Sequence, residues 1–137
     1  MKYFLITFFA VLLLASCDEN QQVVKKLEGT WEVTEYNQEP VTDSTPFFFQ
    51  TITFNDCKLS DNEYCDGSII ISDAFPISIP VQYNVQQEGK YIGFTIPLGQ
   101  VDSTMGSSEV LLEIVSLEKD DLKLQVDGSV VDLKKID

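Results

Sequence analysis

The strongest constraint on the fold is an alternation of apolar and polar residues with a period of two, which recurs in short runs between turn residues. Residues 81–87 (VQYNVQQ) and residues 29–36 (GTWEVTEY) show this alternation most clearly. Successive side chains of a β-strand point to opposite faces of a sheet, so the pattern predicts strands with one buried face. Further runs rich in β-branched and aromatic residues are also predicted as strands: 47–54, 67–72, 90–96, 109–117, 122–126 and 129–134.

Turn residues separate the predicted strands, and no helical period is found after the first apolar run of the chain. Asp127-Gly128 is the strongest hairpin signal, because this dipeptide tolerates the positive φ angles of a two-residue turn. Residues 97–108 form the longest predicted loop. About eight strands joined by short turns favour an all-β fold, a small antiparallel up-and-down barrel, with a β-sandwich as the alternative.

The first residues predict a leader. One lysine precedes an apolar run from Tyr3 to Ala15, which at about 13 residues is shorter than the roughly 20 needed to span a bilayer. The residues Leu14-Ala15-Ser16-Cys17 resemble the lipobox of bacterial lipoproteins, which implies cleavage before Cys17 and attachment of lipid to it. A plain signal peptide cut near Ala15 and a short membrane anchor are the alternatives.

The lipobox resemblance implies three segments: a lipoprotein signal peptide at 1–16, a lipidated N-terminus and polar tether at 17–26, and a β domain at 27–137. It also implies a lipid-anchored protein of the cell envelope, with the outer membrane as the expected location. Asp18 and Glu19 resemble sorting signals of some Gram-negative lipoproteins, and the membrane face is left open.

Charge and composition exclude several functions. The chain has 22 acidic residues against nine basic ones, a net charge of −13 and no histidine. Nucleic acid is therefore excluded as a partner, because binding it requires many basic groups to neutralise phosphates. The sequence predicts no enzyme, no metal and no cofactor, since no imidazole base or histidine ligand is present. Glu35 and Glu113 interrupt apolar strands and are expected at a barrel rim or in solvent.

The two cysteines after Cys17 predict a disulfide. Cys57 and Cys65 lie eight positions apart in a chain that the leader sends out of the reducing cytoplasm. We expect them to face each other across a hairpin whose turn is at residues 60–62. The predicted role is structural.

The start of the β domain resembles a known family. Leu27-Glu28-Gly29-Thr30-Trp31 is similar to the glycine-x-tryptophan signature of the lipocalins and their short bacterial lipocalin-like relatives. The resemblance implies that Gly29 allows a tight turn into the first strand and that Trp31 closes the base of a barrel. Lipocalins usually stack an arginine on this tryptophan. Arginine is absent here, and Lys134 or Lys135 is the candidate replacement, although an ammonium lacks a planar face.

The same resemblance implies a function. An eight-stranded barrel either is filled by its side chains or holds one small ligand. The expected function is a membrane-anchored, non-enzymatic module that binds a small apolar or amphipathic ligand. The alternative is an acidic interaction or inhibitor module for a basic protein partner. Candidate residues for an apolar pocket, which are otherwise plain core residues, are Phe47, Phe49, Tyr83, Tyr91 and Phe94, with Phe48 beside them.

Overall fold

The computed structural model describes residues 19–42, 49–71, 76–95 and 109–137. Within these ranges the chain forms one helix, α1 (Glu19–Leu27), and nine strands. The strands are β1 (Gly29–Tyr36), β2 (Glu39–Pro40), β3 (Thr51–Phe54), β4 (Cys65–Ile70), β5 (Ser78–Gln86), β6 (Tyr91–Thr95), β7 (Glu109–Leu117), β8 (Asp121–Val126) and β9 (Ser129–Lys135).

Eight strands form a closed antiparallel barrel. Their order around the barrel is β1-β3-β4-β5-β6-β7-β8-β9, and β9 pairs back with β1. The two-residue strand β2 extends from β1 outside this ring. Closure pairs both sides of each long strand, which removes the exposed edges through which β-rich chains aggregate. The predicted all-β up-and-down barrel is confirmed, and the alternative of a β-sandwich is wrong.

The bounds of three strands depart from the predicted runs by two residues or more, and one of them is β4, which begins at Cys65, two residues before its predicted start. β3 begins only at Thr51, and within the predicted run 47–54 Phe47 and Phe48 lie outside the described residues. β5 begins at Ser78, three residues before the predicted start, and continues through Pro80 opposite Ser68. The predicted Asp127-Gly128 hairpin is confirmed, with φ angles of 48° and 81° at the two turn residues.

A β-bulge in β1 reverses the alternation halfway along the strand. The register shifts between Val33 and Glu35, so Glu35 lies opposite Asp132 on the outer face. Tyr36 then lies opposite the buried Val131, and its hydroxyl is 3.1 Å from the Ser129 hydroxyl. An extra residue on one strand moves every later side chain to the other face. Glu35 and Glu113 are both exposed, as expected.

The disulfide is confirmed and links the two arms of the antiparallel β3–β4 connection, but the strand ladder does not continue to the turn as expected. Cys57 and Cys65 are bonded, with their Cα atoms 5.7 Å apart. The connection from β3 to β4 is not a strand ladder, because the backbone amides of Asp61 and Asn62 both donate to the carbonyl of Lys58 at 3.1 Å. The bridge therefore holds an irregular acidic loop, residues 55–64, at one end of the barrel.

The helix α1 closes the same end. Val24 and Leu27, three residues apart, are buried in the core, as expected for one apolar stripe of a helix. Gln21 donates from Nε2 to the Cys57 carbonyl at 2.9 Å and accepts from the Leu59 amide at 2.7 Å. Asn20 accepts from the Gly89 amide at 2.8 Å. This end of the barrel, where α1 packs, is called the capped end below.

The expectation of a polar tether is wrong for the residues of α1. Their amide side chains are polar, but Asn20 and Gln21 bond to backbone groups of the barrel, and the valine–leucine stripe packs into its end. Glu19 in the first turn and two lysines in the last turn complement the helix dipole. At nine residues α1 falls well below the length of a bilayer-spanning helix, and none of the described residues forms a longer one.

Trp31 fills the capped end under α1. Its side chain is fully buried, and its Nε1 donates to the Leu27 carbonyl at 2.7 Å. The Lys135 ammonium lies 5.4 Å from the centroid of the Trp31 ring, within cation–π distance. Gly29 permits this approach, because a Cβ there would lie 2.5 Å from the Asp137 carbonyl and 2.6 Å from Lys135 Cε. Its φ of 121° also excludes most other residues.

Substitution of Gly29 tests this close approach. We expect Gly29→Ala to lower the free energy of unfolding by about 2–4 kcal/mol, through backbone strain and displacement of the C-terminal strand. Gly128→Ala is the matched control, because Gly128 also has a positive φ, 81°, but no atom lies within 4 Å of its added Cβ. Urea unfolding followed by Trp31 fluorescence measures both, and equal losses would contradict the crowding at Gly29.

Candidate functional site

The barrel end opposite α1, called the distal end, carries exposed apolar side chains that belong to the inner face. Val110 lies opposite the buried Phe94 and is 43% exposed. Ile69 and Ile79 form an inner pair, and the next residues on that face, Ile71 and Ile77, are 43% and 63% exposed. These three aliphatic side chains, Ile71, Ile77 and Val110, are called the distal rim.

An aromatic cluster lies inside the barrel, from Phe94 opposite the rim residue Val110 to Phe54 opposite Gly29 at the capped end. The ring of Phe54 meets that of Tyr83 edge to face, with centroids 4.9 Å apart. Phe94 lies 6.0 Å from Phe54 and 6.4 Å from Tyr83 between centroids. Phe49 is buried in the same core. Of the predicted pocket residues, the barrel therefore places Tyr83, Phe94 and Phe49 inside.

Two predicted pocket residues do not join this cluster. Tyr91 lies on the outer face, opposite Gln86 and Glu113, because the inner positions of β6 are Ile92 and Phe94. Its assignment to the pocket is therefore wrong. Phe47 lies outside the described residues. Sequence reasoning also missed Phe54, although its alternation with Ile52 in β3 was a usable signal.

Tyr83 supplies a polar group within the apolar interior. Its hydroxyl donates to the Asn55 carbonyl at 3.1 Å. Burial raises the pKa of Tyr83 far above its ordinary value, and the carboxylates of Glu28, Asp56 and Asp66 raise it further. The phenol is therefore neutral at physiological pH, and the buried side chains among the described residues are all apolar or aromatic. This interior suits an apolar group better than an ionic one.

Two cavities open on the outside of the described barrel. One, of about 270 Å³, lies over the bulged strands β1 and β7 and over β8 and β9. Its walls carry the ion pairs Lys123–Asp132, at 3.4 Å, and Lys134–Asp121. The other, of about 330 Å³, lies at the capped end and is called the lysine cavity. Its lining residues are Lys25, Lys26, Leu117, Glu118, Lys119 and Lys135.

The structure thus defines the class of protein: a small closed antiparallel β-barrel with one end capped by a helix and an apolar rim at the other. The described residues hold no group of three or more potential metal-ligating side chains.

Comparison with known proteins adds one similar structure. No family model matches the chain, and no curated protein matches it. A lipocalin-like protein from Bacteroides uniformis is 14% identical, with a TM-score of 0.49, over 81% of this chain and 99% of that chain. Membership of the lipocalin-like family stays a prediction.

The raised pKa of Tyr83 predicts a pH dependence of stability. Above about pH 10 the unfolded chain releases the phenol proton while the folded chain keeps it, so rising pH favours unfolding. We expect Tyr83→Phe to flatten the loss of unfolding free energy above pH 10, while costing about 0.5–1.5 kcal/mol at neutral pH. Urea unfolding between pH 7 and 11 measures both effects.

Tyr64→Phe is the control for that experiment, because Tyr64 is exposed. It should keep the steep alkaline loss of the wild type. If the control flattens the curve as much as Tyr83→Phe does, the loss does not arise from the buried phenol.

Proposed function

We propose that this protein is a lipid-anchored, non-enzymatic binding module of the bacterial cell envelope, which takes a small apolar or amphipathic molecule at its distal end. The observation that carries the proposal is the exposure of Ile71, Ile77 and Val110 on the inner face of the barrel. Exposed aliphatic groups gathered at one rim are unusual in a soluble domain and are typical of binding surfaces.

The direction of entry follows from the two ends. The capped end is filled by α1 and Trp31, whereas the distal rim leads to the aromatic cluster through Phe94. Fully burying an aliphatic side chain contributes roughly 1.5–3 kcal/mol, and the rim residues are already about half covered. Burial of the uncovered half of all three rim residues by a ligand would contribute roughly 3 kcal/mol to the binding free energy. A micromolar affinity needs about 8 kcal/mol, so the ligand's own apolar surface supplies most of the difference.

The anchoring part of the proposal rests on the lipobox and is supported by the disulfide. Cys57–Cys65 suits an oxidising compartment outside the cytoplasm. The helix α1 begins at Glu19, two residues after Cys17, so the anchor lies within roughly 7 Å of chain from the helix. The capped end then faces the bilayer and the distal end faces away, so a ligand arrives from the aqueous side.

A matched pair of substitutions tests the distal site. Val110→Asp places a charge on the inner rim, whereas Leu111→Asp places the same charge on the outer face, opposite Gly93, at a similarly exposed position of 45%. The probe is N-phenyl-1-naphthylamine, an uncharged molecule that fluoresces in apolar sites. We expect Val110→Asp to weaken its binding at least tenfold and Leu111→Asp to leave it within twofold.

Binding of this probe should also be insensitive to salt between 50 and 500 mM, because apolar contacts are not screened. Probe fluorescence that is equal in both variants, or absent in the wild type, would count against the distal site.

The alternative function is recognition of a basic protein. Its support is the acidic loop at the capped end, where Asp56, Asp61, Glu63 and Tyr64 are all exposed, with the exposed Asp66 following in β4. A partner held by these carboxylates would bind through long-range attraction that salt screens. A protein that binds a basic partner with steep salt dependence, and does not bind the apolar probe, fits this alternative.

Substitution of Cys17 tests the anchor. We expect Cys17→Ser to abolish lipid attachment and to release the mature domain from membranes that retain the wild type after a high-salt wash. Ser16→Ala is the control, because it keeps a small residue before the cysteine. Membrane fractionation with mass spectrometry of the N-terminal peptide measures both, and a Cys17→Ser protein that keeps its lipid mass would refute the assignment.

A further inference from the structure

We propose that the lysine cavity at the capped end binds a phosphate-bearing group. Four of the nine basic residues of the chain, Lys25, Lys26, Lys119 and Lys135, line this one cavity of about 330 Å³. The site lies at the opposite end of the barrel from the distal rim, so it does not rest on the function proposed above.

The composition makes this gathering of lysines unexpected. With 22 acidic residues against nine basic ones, a lysine placed without constraint meets a carboxylate more often than another lysine. Yet the only carboxylate in the lining is Glu118. Like charges held close together repel each other, and an anion between them removes that cost.

The ammonium groups of the cavity are also available. The ion pairs found within the described residues use Lys123 and Lys134, and no carboxylate there lies within 4.0 Å of a cavity lysine. Asp121 pairs with Lys134, and this hydrogen bond is the main cause that raises the pKa of the Lys134 ammonium above its ordinary value. Asp137 and Glu28 are further acidic residues nearby, because the backbone carbonyl of Asp137 lies against Gly29 beside Lys135 and Glu28 directly follows α1.

Three separate elements position the lysines. Lys25 and Lys26 belong to the last turn of α1, Lys119 to the turn between β7 and β8, and Lys135 to the end of β9. The helix dipole accounts for lysines in the last turn of α1, but not for those from the other two elements. Lys135 is half-buried, and its ammonium is held over the Trp31 ring. The cavity is therefore partly preorganised, which lowers the entropic cost of binding.

The chemistry of the lining favours phosphate attached to an apolar or neutral body. Lysine binds phosphate as a point charge with three donors, and several lysines match a group that carries up to two charges. Leu117 adds an apolar wall. Two sources share this chemistry: the headgroup of an anionic lipid and a soluble phosphate ester. The short chain between Cys17 and α1 brings the cavity near a bilayer if Cys17 is lipidated.

The single tryptophan of the chain provides the reporter. Because the Lys135 ammonium lies over Trp31, an anion bound beside Lys135 should change the Trp31 emission. The full chain in a neutral detergent is titrated with inorganic phosphate, with glycerol 3-phosphate, and with phosphatidylglycerol in mixed micelles. Phosphatidylcholine in the same mixed micelles is the control lipid, because it has no net charge. Isothermal titration calorimetry on the same samples detects binding that leaves the emission unchanged.

Two triple variants distinguish the effect of the cavity lysines on binding from the effect of the total charge of the chain. Lys25→Gln, Lys26→Gln and Lys119→Gln together empty the cavity of three charges but keep Lys135 on Trp31. Lys58→Gln, Lys90→Gln and Lys123→Gln together remove the same charge from positions outside the cavity. The three substituted lysines are exposed, and none of them forms an ion pair with another described residue, so their replacement should leave folding intact.

We expect saturable binding that weakens at least tenfold in the cavity variant and less than twofold in the control variant. Binding of phosphatidylglycerol alone identifies a lipid headgroup, whereas binding of the soluble phosphates identifies a phosphate ester. The proposal is overturned if no probe binds by either method, or if both variants weaken binding to a similar extent. Val110→Asp should leave phosphate binding unchanged, so failure at one end of the barrel is distinguishable from failure at the other.

Discussion

The pairing of the first strand with the last is the interaction on which the rest of the structure depends. It joins Trp31 to Lys135 across roughly a hundred residues of chain, and it converts a row of hairpins into a closed barrel. Apart from β1 with β3, which skips the short β2, the other pairings of the barrel join strands that follow each other in sequence. Only this closure places Lys135 over Trp31, gives Gly29 its crowded surroundings, and brings the C-terminal strand next to the end of α1.

The two ends of the closed barrel differ in what covers them. At the capped end, α1 supplies an apolar stripe and several polar bonds to loops, so backbone groups of the β3–β4 and β5–β6 connections are satisfied by Asn20 and Gln21. At the distal end, the inner face continues into Ile71, Ile77 and Val110, which remain exposed. One scaffold thus presents an apolar rim and a cationic cavity at opposite ends, and substitutions at one end should act independently of those at the other.

Alternation of apolar and polar residues, together with β-branched and aromatic content, was sufficient to predict where the strands of the barrel lie. β1 and β7 have the predicted bounds, and the Asp127-Gly128 turn follows from its backbone preference alone. The bulge in β1 was not predictable, because it depends on which residue of β9 lies opposite. The polar residues of α1 gave no helical signal in the sequence. The hydrogen bonds of Asn20 and Gln21 go to backbone groups that are distant in sequence. Tyr91, by contrast, was misplaced although its neighbours Ile92 and Phe94 already marked the inner face.

The lysine cavity shows that net charge is a poor guide to the local charge at one site of the chain. A net charge of −13 predicts repulsion of anions. At physiological ionic strength, however, salt weakens the electrostatic effect of each charge over a decay length of about 8 Å. The acidic loop contacts α1 at Gln21, whereas Lys25 and Lys26 belong to the last turn, roughly 6–7 Å further along the helix axis. A group in the cavity lies beside four lysines and one glutamate, so the local charge there is positive. The acidic loop and the lysines thus lie at different positions along one short helix. An acidic protein therefore carries a local cationic site.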